Sequence, residues 1–141
     1  MLEFLKSWQG KHSFKNNLLE FLDEIEKNLE IYYVMDQRQF VTNCFLLDKW
    51  QKVKDLEVLK THQDIKKYAE ALMDFNKAYE DYKSYEQWYS SDMKNKNSEN
   101  AKQLHTLKDS LQIKIKSFEA IIITAGQSLE RELLNLGFID N

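Results

Sequence analysis

The chain has 141 residues with no proline, three glycines, 43% hydrophobic and 30% charged residues. That balance excludes collagen-like, proline-rich and strongly disordered chains. Its 20 basic and 23 acidic side chains give a formal net charge of −3, which argues against a surface built for phosphate and against nucleic acid as a partner. A lone cysteine, Cys44, rules out an intrachain disulfide. The longest apolar run, residues 31–35, is far below the ~18 residues of a membrane span, so the expected address is the cytoplasm.

Leu2, Leu5 and Trp8 suggest a small N-terminal helix closed by Gly10. Phe14, Leu18, Leu22, Ile25, Leu29 and Tyr32 then return every three or four positions after Ser13, a candidate N-cap. This spacing predicts helix 1 at about 13–36, with Glu20, Asp23, Glu24 and Glu26 off the apolar stripe. The apolar phase slips at residues 36–39 and resumes through Phe40, Val41, Cys44, Phe45, Leu46, Leu47, Trp50, Val53, Leu56 and Leu59. Helix 2 is therefore placed at about 38–60, with a short strand from Phe40 to Thr42 as the alternative. In that apolar company Cys44 reads as a buried neutral thiol.

Ile65, Tyr68, Leu72, Phe75, Tyr79 and Tyr82 form the stripe of helix 3, about 62–92, with Thr61 and Asp64 at the spacing of a capping box. The polar stretch 92–100 reads as a loop. Leu104, Leu107, Leu111, Ile115, Phe118, Ile122, Ala125, Leu129, Leu133 and Leu136 hold one face of helix 4, about 98–136. Ser98 is its expected N-cap and Gly137 with Phe138 its expected left-handed stop. A helix so long invites a kink, and Gly126 is the natural place for it.

Four amphipathic helices must bury their stripes against one another. The expected fold is all-α: a single domain over 1–141, an up-down-up-down four-helix bundle with long third and fourth helices and a short N-terminal helix.

Legible chemistry is sparse. Di-iron bundles need Glu-x-x-His, but Gln9, Leu59 and Lys102 stand three residues before His12, His62 and His105. One cysteine and three scattered histidines make no zinc signature, and three isolated glycines make no phosphate-binding loop. Gly126-Gln127-Ser128-Leu129-Glu130 puts Glu130 where a nucleophile elbow needs its closing glycine. No catalytic, cofactor or metal residue is assigned. A catalytic cluster would have to gather distant groups such as Glu24, His62 and His105.

The expectation is thus a non-enzymatic helical bundle acting through protein–protein contacts, with a protein partner or a second copy as a homodimer. Tyr85, Trp88 and Tyr89 cover more than one face at the loop end of helix 3, and tyrosine and tryptophan suit interfaces. Ile121 and Ile123 lie off the main stripe of helix 4 and need other apolar cover, while Ala125 and Gly126 admit close approach of another backbone. Those five aromatic and isoleucine residues are the interface candidates. The alternative is a ligand-sensing bundle with an apolar pocket lined by the helix 3 aromatics. Residues 13–36, with six acids against two lysines, carry an acidic face that reads first as a solvated surface, with a dock for a basic partner or pairing with the chain's own lysines as the alternatives.

Overall fold

The computed structural model describes residues 2–38 and 41–140, with side chains from Gly10 onward. Met1, Gln39, Phe40 and the side chains of Leu2, Leu5 and Trp8 lie outside the described residues. Among the described residues the regular structure is helical, with no strand: α1 (Leu2–Arg38), α2 (Asp48–Val53), α3 (Glu57–Lys60), α4 (Gln63–Ser91), α5 (Ser98–Ile115) and α6 (Phe118–Asn135). No helix there is long and apolar enough to cross a membrane.

The N-terminal segment and helix 1 are one continuous helix. Gly10 does not end α1, because a glycine stops a helix only when it turns left-handed; here only Gly137 does, at φ 73°. The buried face of α1 carries Leu18, Phe21, Ile25, Tyr32 and Met35, and with them the polar Glu24 and Asn28. Leu22 and Leu29 are only partly buried at its edge.

The second helix expected over 38–60 is absent. Residues 41–47 form a non-helical strap, followed by α2 and the single turn α3. Val41, Thr42 and Asn43 disfavour helix, and the bends after the strap let Val41, Phe45, Trp50, Val53 and Leu59 all reach the core. Cys44 points outward and is exposed, contrary to the buried thiol expected of it.

α4 matches its expected span and buries Ile65, Tyr68, Ala69, Leu72, Phe75 and Tyr82. The Thr61–Asp64 capping box does not form: His62 occupies the N-cap without a side-chain bond, and Asp64 accepts instead from Ser128 Oγ at 3.0 Å. The fourth helix is divided in two. Its break falls at Lys116 and Ser117, where the Lys116 N–H turns back to the Ile113 carbonyl, and not at Gly126. That tight turn brings Phe118 onto the buried face three residues after Ile115. Asn97, not Ser98, caps α5 by accepting from the Asn100 N–H at 2.9 Å.

Gly126 lies inside α6 where that helix passes α1. A Cβ there would stand 3.5 Å from Ile25 Cγ2, an ordinary contact distance, so the approach of the two helices does not require the glycine. The C-terminal stop is as expected. Phe138 N–H bonds the Leu133 carbonyl and Gly137 N–H that of Leu134, the paired bonds of a Schellman motif, while the Phe138 ring packs edge-on to Phe14 at 5.6 Å. α6 packs on both α1 and α4, and α5 on α4. Phe45 from the strap closes the core between Phe75 and Phe118, with centroids 5.2 and 5.5 Å away.

Candidate protein-docking surface

An irregular strap must satisfy its peptide groups without a helical ladder. Two asparagines do this here. Asn28 Oδ1 accepts from the Leu46 N–H at 2.8 Å, and its amide donates to the Leu46 carbonyl at 2.8 Å and to the Tyr68 hydroxyl at 2.7 Å. Asn76 Oδ1 accepts from the Phe45 N–H at 2.8 Å and its amide donates to the Phe45 carbonyl at 2.9 Å. Tyr79 adds a hydroxyl bond to the Thr42 carbonyl at 3.0 Å. Burial of Tyr68 pushes its phenol well above the ordinary range, so it stays protonated.

Glu24 fixes the end of the strap. Leu47 at the N-cap of α2 brings no capping side chain; the carboxylate of Glu24, one helix away, accepts the Trp50 N–H at 3.0 Å instead. Its other oxygen, Oε1, is buried without a hydrogen-bond partner. Burial raises the Glu24 pKa above its ordinary value, outweighing the pull of the Trp50 and Lys49 N–H groups.

Held this way, the strap forms a groove with α1. One end, about 460 Å³, is apolar: Ile31, Val34, Met35 and Leu46 line it with Lys27, Glu30, Thr42 and Asn43. Val34 is 46% and Leu46 42% exposed, so both apolar side chains stand largely in solvent rather than in the core. Lys27 and Leu46 also line an adjoining recess of about 80 Å³ with Glu20, Asp23, Glu24, Asp48 and Lys49. Lys27 pairs with Asp23 at 2.9 Å, which raises its pKa, and Lys49 pairs with Glu20 at 3.3 Å. The acidic face of α1 thus keeps its charge mostly beside this groove.

The other sequence-derived residues fall elsewhere. Tyr85 and Trp88 pack together at 5.4 Å; Trp88 is 46% exposed, while Tyr85 and Tyr89 are half-buried. Nearby, Tyr82 donates to Glu86 at 2.8 Å and its phenol is pushed up to about 12, chiefly by burial. Ile121 packs against the core and Ile123 is half-buried. Of the rest of the helix 3 aromatic stripe, Tyr68, Phe75 and Tyr82 are buried in the core and Tyr79 is partly buried against it. Glu24, His62 and His105 are not brought together: His62 pairs with Glu132 at 3.1 Å and His105 with Asp109 at 3.1 Å.

Asn28 and Asn76, which build the surface, went unread in the sequence, and Glu24 was assigned to the wrong face. One signal was available for Asn28: it sits at the helical spacing of Ile25, Tyr32 and Met35, where a polar residue requires a buried partner.

Comparison with protein families gives a match of residues 4–135 to the Ufd2P core, described as the ubiquitin elongating factor core. The chain belongs to this family. Comparison with curated proteins and with solved structures gives no significant match. Membership corrects the expectation of a non-enzymatic protein, because ubiquitin elongation factors are a ubiquitin ligase-type enzyme family of which this region is the core domain. Such a domain belongs to the ubiquitin pathway, in which contacts between proteins are the medium of function.

Proposed function

We propose that this chain is a protein-docking domain of a ubiquitin elongating factor and that the groove between α1 and the strap holds a protein partner during chain elongation. The supporting observation is the outward placement of Leu46 beside Val34 on a backbone fixed from below by Asn28 and Asn76. A pre-ordered surface binds at lower entropic cost than a loose one. The α4–α5 end, with Tyr85, Trp88, Tyr89 and the 80% exposed Met93, is a second contact surface in this reading. Self-association through Ile121 and Ile123 is a weaker part of it, since Ile121 is already packed on the chain's own core.

Replacing Val34 and Leu46 together by serine, in a reconstituted ubiquitination reaction on an already ubiquitinated substrate, tests the reading. Loss of two interface anchors is expected to slow chain elongation roughly tenfold, with the thermal transition retained. Lys102→Ala, on exposed α5, serves as the control. Unchanged elongation by the double variant would overturn the assignment.

A further inference from the structure

The C-terminal half of α4 and the α5 helix packed on it form a thin two-helix arm. The strap meets α4 at Tyr79, whose hydroxyl bonds the Thr42 carbonyl, and from Lys83 to Ser110 no residue is buried. The tip of the arm is nevertheless fixed. Asn95 Nδ2 donates to the Trp88 carbonyl at 2.8 Å, Asn100 Nδ2 donates to the Asn95 carbonyl at 2.9 Å, and Asp92 accepts the Lys94 N–H at 3.0 Å. These bonds hold a single tight turn, Met93–Asn95, on which Met93 stands 80% exposed with exposed Lys94 and Lys96 following it. A thioether side chain set out on an ordered turn is an apolar anchor suited to an irregular apolar pocket.

The chain carries a socket of matching chemistry. The groove of about 460 Å³ is lined by Ile31, Val34, Met35 and Leu46, and α1 from Glu20 to Asp36 holds six acids against one lysine. The tip from Met93 to Ser98 holds two lysines and no acid. An apolar anchor beside lysines and an apolar groove beside carboxylates are complementary in both respects. The anchor cannot reach the groove of its own chain: Thr42 lines that groove and meets Tyr79, and about 18 Å of continuous helix, at 1.5 Å per residue, separates Tyr79 from Ser91 at the tip.

Resting on the docking role proposed for this groove, we infer that its occupant is a second copy of this chain, whose arm tip seats Met93 against Val34 and Leu46 and brings Lys94 and Lys96 to the acids of α1. A two-fold axis across two antiparallel arms makes both contacts at once, because tip and groove are equally far apart in each copy. The product is a closed dimer in which both grooves are covered, so self-association competes with every other partner of the groove.

Sedimentation velocity of the full chain tests this. A monomer–dimer equilibrium is expected as concentration rises through the micromolar range. Met93→Asp, at an exposed position, and the Val34/Leu46 double serine variant are each expected to weaken dimerisation at least tenfold, and raising salt from about 0.05 to 0.5 M is expected to weaken it as well. Mixing the two variants decides whether tip meets groove. The intact tip of one and the intact groove of the other restore one contact, so the heterodimer forms more tightly than either variant pairs with itself. A monomer throughout that range, a dimer that Met93→Asp leaves intact, or no gain on mixing overturns the inference. If the wild type stays monomeric while the Val34/Leu46 variant slows elongation, the docking role survives and only the occupant is wrong. If the dimer responds as expected while elongation by that variant is unchanged, the docking role fails and the self-contact stands.

Discussion

Asn28 and Asn76 stand on different helices and grip neighbouring peptide units of one strap, Asn28 at Leu46 and Asn76 at Phe45. The pair replaces a backbone ladder with side chains, so the path of residues 41–47 depends on two amides whose donors and acceptors match the peptide.

Asn28 is fully buried and makes three of these bonds. Asn28→Ala leaves both Leu46 peptide groups unmet and is expected to lower stability by about 3 kcal/mol, each orphaned buried group costing ~1–3 kcal/mol. Asn76, half-buried, is expected to cost about 1 kcal/mol on the same change. Urea titrations followed by circular dichroism measure both, and a loss below about 1 kcal/mol for Asn28→Ala would contradict the clamp.

Glu24 gives the fold a pH dependence of definite sign. Burial lifts its folded pKa above the ordinary 4.5, with Asp48 adding to the rise and Lys49 and the two N–H groups opposing it. The folded chain therefore holds this proton where the unfolded chain has lost it, and stability attributable to Glu24 falls as pH rises from 4.5 through the folded pKa. The melting temperature of the wild type minus that of Glu24→Gln should decline across that window and level off above it. A difference that grows with pH would reverse the assignment.

The two C-terminal glycines should respond in opposite directions to alanine. Gly126 is helical with room for a Cβ at ordinary contact distance from Ile25, so Gly126→Ala is expected to stabilise by ~0.5–1 kcal/mol. Gly137 is left-handed at φ 73°, and Gly137→Ala is expected to destabilise by about 1 kcal/mol. Parallel denaturant curves compare them directly.

Cys44 is exposed on the strap. In native buffer it should react with a disulfide reagent such as dithionitrobenzoate at a rate close to that of the urea-unfolded chain. Protection by more than about tenfold would place the thiol inside the core instead.

The long amphipathic stripes were legible because apolar spacing of three and four forces a helix; α4 and the Gly137 stop follow from sequence alone. Residues 41–47 were not, because their apolar side chains continue the composition of a helix while the backbone gives up its ladder to Asn28 and Asn76, partners far away in sequence. The same non-locality hid Glu24. A carboxylate near other acids looks like a solvated face until the capped helix, α2, is placed beside it. The break at Lys116 and Ser117 carries neither glycine nor proline, so only the change of phase between Ile115 and Phe118 marks it. Trp88 was legible as an exposed ring, whereas the groove needs both of its walls before it exists.

Reliance on side-chain amides has a kinetic corollary for the strap. Its peptide protons at Phe45 and Leu46 are guarded by one carboxamide each, so their exchange with deuterated solvent should proceed through a sub-global opening that leaves α4 and α6 intact. The proposed docking region would then be the first to loosen and the first to re-form.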